Sequence, residues 1–108
     1  MKKIVYPAVF EFDKQENTYI FNFEDINVIS LGLSPEEAYL RACEDFQSYI
    51  SFTEKFEFSL MEPTPFEEFE KLNPKKRIML FSADVVGQNI SLNSSEAAYK
   101  RLIQSMIE

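Results

Sequence analysis

The chain has no histidine at all and a single cysteine, Cys43. Without histidine there is no Ser-His or Cys-His nucleophile and no histidine-ligated zinc. One cysteine supports neither a disulfide framework nor a cysteine metal cluster. Glycine occurs only at positions 32 and 87, so no glycine-rich loop is at hand to cradle a phosphate. Basic residues are also scarce: 11 against 18 acidic ones leave a net charge of −7. That argues against general affinity for nucleic acid or anionic membrane, and it fits either a basic partner or plain solubility. No window approaches the roughly 18 apolar residues of a membrane span. In MKKIVYPAVFEF, Pro7 and Glu11 interrupt anything resembling a secretory leader. These absences predict a soluble, cytoplasmic protein of a reducing compartment, with no membrane association, cofactor or metal. The sequons at Asn89 and Asn93 are then chance matches.

What is present is apolar and aromatic. With 108 residues, 45% of them apolar and eleven of them Phe, the chain can bury a core as one domain. KIVYPAVFEFD (3–13) reads as a strand with Ile4, Tyr6, Ala8, Phe10 and Phe12 on one face. Val5 and Val9 on the other face suggest cover on both sides, whereas Pro7 suggests an edge. The turn Lys14-Gln15-Glu16-Asn17 leads into TYIFNFEDI (18–26), an alternating strand that makes an antiparallel hairpin with the first. A corner at Asp25–Asn27, a short strand Val28–Leu31 and Gly32 follow. Ser34, Pro35 and Glu37 then have the spacing of an N-cap, a first-turn proline and a capping box. They open a helix predicted to reach about Phe52, with Tyr39, Ala42, Cys43, Phe46, Tyr49 and Ile50 in its apolar stripe. Cys43 in that stripe reads as a small buried hydrophobe.

An acidic, proline-broken stretch comes next, with a short helix in PFEEFEKL (65–72) presenting Phe66, Phe69 and Leu72 inward. IMLFSADV (78–85) is the next strand. The tail after Gly87 reads as an extended piece and a last helix, capped by Ser94 or Ser95, with Ala98, Leu102, Ile103 and Met106 or Ile107 apolar. The order β-β-β-α-(α)-β plus a C-terminal helix predicts an α+β fold. The crossover rule predicts a mixed sheet, the fourth strand parallel to its neighbour and the main helix on one face.

Three groups of residues could carry chemistry. Glu11, Asp13 and Asp84, with Glu44 and Asp45, come from the elements that supply metal-binding carboxylates in ribonuclease H-like nucleases, so a metal-dependent nuclease using Glu11, Asp13 and Asp84 is one reading. Solvated carboxylates are the plainer one. Lys75-Lys76-Arg77 is too short a run to read as a phosphate patch. QNISLNSSEAAYKRLIQ partly matches a ribbon-helix-helix DNA reader, but that motif needs a second helix, so a complete DNA-binding module is not expected.

In their order, Tyr6-Pro7-Ala8, the acidic corner Phe23-Glu24-Asp25-Ile26, Gly32, Ser34 and Glu36-Glu37-Ala38 resemble the HicB family of antitoxins, over roughly residues 4–52 and more loosely 78–85. Asn27 stands where the family often has a Pro-Gly-Cys turn. The resemblance implies a partial ribonuclease H-like fold over residues 1–86, with the first strand between the second and the fourth. Residues 87–108 would then be a tail, either part of that domain or a truncated appendage. It implies a non-catalytic protein, a homodimer or higher oligomer, that occludes a small basic mRNA-cleaving toxin of the HicA type. Glu24 and Asp25 would be the toxin contacts. An orphan protein-binding domain of the same fold is the other reading.

Overall fold

The computed structural model describes residues 2–56, 60–93 and 96–107. Along the chain these form β1 (Lys2–Asp13), β2 (Thr18–Phe23), β3 (Val28–Gly32), α1 (Pro35–Lys55), α2 (Phe66–Leu72), β4 (Arg77–Val86), β5 (Asn89–Leu92) and α3 (Glu96–Ile107). The fold is α+β. Among the described residues the strands form one sheet of order β3-β2-β1-β4-β5, and every neighbouring pair is antiparallel.

The β1–β2 hairpin closes with Asp13 opposite Thr18, and Asn17 takes the left-handed backbone (φ 52°) that the turn requires. β1 lies at the centre of the sheet. Its paired positions with β2 run from Val9 to Asp13, and those with β4 from Lys2 to Phe10. Pro7 therefore sits in a central strand, but at a level where β2 has already turned away into a 3-10 turn at Glu24–Ile26. A missing amide donor there removes no rung with β2, which reconciles the proline with its place. Pro7 and Val9 are both buried although they face away from the Tyr6–Phe10 row, so the middle of β1 is covered on both sides. Asn27 closes the corner in a left-handed conformation (φ 57°) before β3 begins.

α1 starts where its sequence says it should. The Ser34 hydroxyl accepts the Glu37 N–H at 3.1 Å, Pro35 occupies the first turn, and Glu36 and Glu37 favour the positive helix end. Gly32 has a positional reason too. A Cβ there would lie 2.3 Å from the Ala38 backbone nitrogen, so the end of β3 and the first turn of α1 touch backbone to backbone. Ala38, Ala42, Phe46 and Ile50 face the sheet fully buried. The core they cover is aromatic: Phe23 stacks on Phe46 with centroids 5.7 Å apart, and Phe81 meets Phe21 edge-on at 5.6 Å.

The expected mixed sheet is not what forms, because β4 runs antiparallel to β1. α1 does return the chain to the starting end of β1, where Glu54 bridges Lys2 at 2.7 Å. The chain then climbs back. Met61 meets the Tyr6 hydroxyl, Thr64 reaches Asp25, and Asn73 reaches Glu24. β4 consequently begins opposite Phe10 and descends to Lys2. The crossover rule assumes one traverse, and this connection makes two.

One further expectation is corrected, and another is made specific. In α2 only Phe69 is buried, while Phe66 and Leu72 are 43% and 69% exposed. At about 100° per residue, positions three apart drift by some 60°, so Phe66 and Leu72 flank the inward direction on either side of Phe69. The extended piece after Gly87 is a fifth strand, reached through Gly87 at φ 60° with Val86 opposite Asn89. α3 joins the same core through buried Leu102 and through Tyr99, stacked on Tyr39 at 4.3 Å. The cap expected at Ser94 or Ser95 lies outside the described residues, as does the side chain of Ile107.

Candidate functional site

The carboxylates named from the sequence do not gather at one point. Glu11 bridges Lys76 at 2.9 Å, and this contact holds the Lys76 ammonium above its usual range. Asp13 accepts the turn amides of Gln15 and Glu16 at 3.0 and 3.3 Å. Asp84 stands opposite Lys3, near the other end of β1. The strand from Lys3 to Glu11, at about 3.3 Å per residue, separates them by on the order of 25 Å. A pair of metal ions needs its ligands within a few ångströms, so Glu11, Asp13 and Asp84 do not form one such site. Among the described residues, no group of three or more Cys, Asp or Glu is placed to hold a metal ion.

Glu24 and Asp25, the expected toxin contacts, are engaged within the fold. Thr64 donates its backbone N–H (2.8 Å) and its hydroxyl (2.7 Å) to the two oxygens of Asp25, and Asn73 donates its side-chain amide to Glu24 at 2.8 Å. Both acids pin the 3-10 turn to the returning chain. The basic run is likewise tied down, with Lys76 on Glu11 and Arg77 bonded to Ser105.

Cys43 borders a cavity of about 440 Å³ between α1, β5 and α3, with Tyr39, Phe46, Phe81 and Tyr99 among its walls. Burial pushes its thiol above the usual range, so at neutral pH it is a protonated, weak nucleophile. No helix of the described residues is long and apolar enough to cross a membrane.

The surface that stands out chemically is one the sequence reading passed over. Ile29, Leu31 and Leu40 are exposed beside one another along β3 and α1, and Leu33, just after β3, is exposed as well. A groove of about 650 Å³ runs between β3 and α1, its helical side formed by Glu37, Leu40, Arg41, Glu44 and Asp45. Arg41 is matched by Glu37 at 3.5 Å, which leaves Glu44 and Asp45 in excess. Asp45 also accepts the Ser30 hydroxyl at 2.7 Å and so fixes that wall to the strand. Scattered apolar residues are ordinary, but a contiguous apolar strip with an acidic rim is the composition of a protein-binding surface. The signal was available: VISLGL alternates on a strand whose outward residues are Ile and Leu, where a solvated face would carry polar ones. No family model matches the chain, nor does any curated protein or solved structure.

Proposed function

We propose that the chain is a non-catalytic binding domain that acts as HicB-like antitoxins do, occluding a small basic mRNA-cleaving toxin in the cytoplasm. The observation that carries this reading is the apolar strip beside β3 with its acidic rim, on a chain of net charge −7. A toxin that binds RNA presents a basic surface, and complementary charge both speeds the encounter and covers the surface RNA would use. The placement of the residues behind the resemblance adds support. Tyr6-Pro7-Ala8 lies in the central strand between β2 and β4, and Gly32 and Ala38 form the joint between β3 and α1. The antiparallel β1–β4 pair departs from the mixed sheet expected of a partial ribonuclease H-like fold, so the support rests on these joints and on charge.

Co-expression with the product of the neighbouring reading frame tests the proposal. A co-purifying complex, relief of growth arrest, and affinity that falls as salt rises are expected. No complex and no relief would reject it. Sedimentation of the chain alone tests the expected homo-oligomer separately.

A further inference from the structure

The two edges of the sheet are finished differently. At one edge β5, one residue shorter than β3 and likewise without charge or proline, pairs only with Ala83–Val86 of β4. The part of β4 it leaves over is attended by its neighbours: Arg77 bonds Ser105 of α3 at 3.1 and 3.3 Å, and the Asn93 N–H reaches the Ser82 carbonyl at 3.0 Å. At the other edge β3 has β2 on one side and, among the described residues, no strand on the other. VISLG carries no charge and no proline, and its five pairs with β2 run without a bulge. Those are the usual devices that stop an edge from recruiting another strand, and β3 has none of them.

The two faces of that edge differ in chemistry. Ser30 is buried on the helix side, against Asp45, whereas Ile29 and Leu31, alternating with it, are 58% and 48% exposed at the edge and border the groove shared with Leu40, Glu44 and Asp45. A strand laid along β3 would alternate in the same way. One set of its side chains would lie beside Ile29 and Leu31. The other would point over Leu40 toward Glu44 and Asp45.

We propose that β3 accepts a sixth strand from a basic protein: an extended segment hydrogen-bonded along Val28–Gly32, with apolar residues alternating with lysine or arginine. This rests on the proposed function for the partner's basic character, and it specifies the docking edge and the sequence pattern that fits it. Backbone bonds supply affinity, and the alternating side chains supply selectivity. A second copy of this chain fits less well. Its β3 has no cation to offer the groove, and pairing would bring a second Glu44 and Asp45 toward the first, like charge to like charge.

The test is an amide-resolved NMR titration of the whole chain with a heptapeptide of alternating lysine and valine, beside a glutamate–valine control. Shifts confined to Val28–Gly32 and the first half of α1 are expected, for the lysine peptide alone. Ile29→Lys combined with Leu31→Lys, at exposed positions, is expected to weaken binding at least tenfold while the melting temperature stays the same. Shifts spread over all acidic surfaces, equal binding of the control, or undiminished binding by the double variant would overturn the proposal. So would a concentration-dependent doubling of mass that the double variant abolishes, since a second copy would then hold the edge. The two readings also fail separately. A toxin complex unaffected by the double variant overturns the edge and leaves the function standing. Peptide seated on β3 with no toxin partner found supports the edge and rejects the function.

Discussion

Single side chains fix the two joints that shape the surface. At the first, Gly32→Ala would set a methyl 2.3 Å from the Ala38 nitrogen and 2.8 Å from its Cα. Both are backbone atoms, so relief requires moving α1 off the strand. The expected loss is about 3 kcal/mol or more in urea unfolding, and an unchanged midpoint would show the joint to be loose. At the second, Asp25→Ala strands the N–H and hydroxyl of Thr64 and is expected to cost roughly 1–3 kcal/mol. Tyr6 predicts a pH effect. Burial first, then the nearby Tyr49 and Asp25, push its hydroxyl up to about 12 from 10.0. Unfolded tyrosine ionises near 10, so below that pH both states are neutral and the contribution is intact. As pH climbs from about 10 to 12, the unfolded chain ionises first and stability falls. In urea midpoints taken across that window, Tyr6→Phe is expected to flatten part of the decline. Tyr99 and Cys43, both also raised by burial, contribute to the remainder.

Elements were legible where their signals are local. The Ser34-Pro35-Glu37 start of α1 follows from spacing alone, and Ser34→Ala is expected to lower stability by about 1 kcal/mol on thermal or urea unfolding. The hairpin at Asn17 could likewise be read from residue types, whereas Pro7 left the central place of β1 open and only the resemblance implied it. The direction of β4 could not. IMLFSADV looks the same run either way, and its direction is set by bonds between residues far apart in sequence, Tyr6 to Met61, Asp25 to Thr64 and Glu24 to Asn73. The same bonds explain why Glu24 and Asp25 looked like a free acidic corner: their partners lie 49 and 39 residues away. The β3 surface was missed for the opposite reason. Its alternation was visible, but which face of VISLG meets water depends on Ser30 turning inward to Asp45, a polar residue where the core side would be expected to be apolar.

For the molecule as a whole, the role of α3 decides whether the domain ends with the sheet or includes the tail. Leu102 is buried in the core shared by α1 and β4, Tyr99 lies flat on Tyr39, and the Arg77 guanidinium is tied to Ser105. Removing residues 94–108 would uncover Tyr39, Met79 and Phe81 and widen the cavity beside Cys43. Burial of one large apolar side chain stabilises by roughly 1.5–3 kcal/mol. Losing Leu102 and Tyr99 together therefore takes several kcal/mol from a total that for small domains is about 5–15. The truncated chain is expected to melt well below the intact one, to bind a hydrophobic dye, and to alkylate faster at Cys43, whose thiol burial otherwise protects. Equal melting and equal alkylation would make α3 an appendage. In that case the half of β4 beside it would be a second open edge, and the contrast that singles out β3 as the docking strand would disappear.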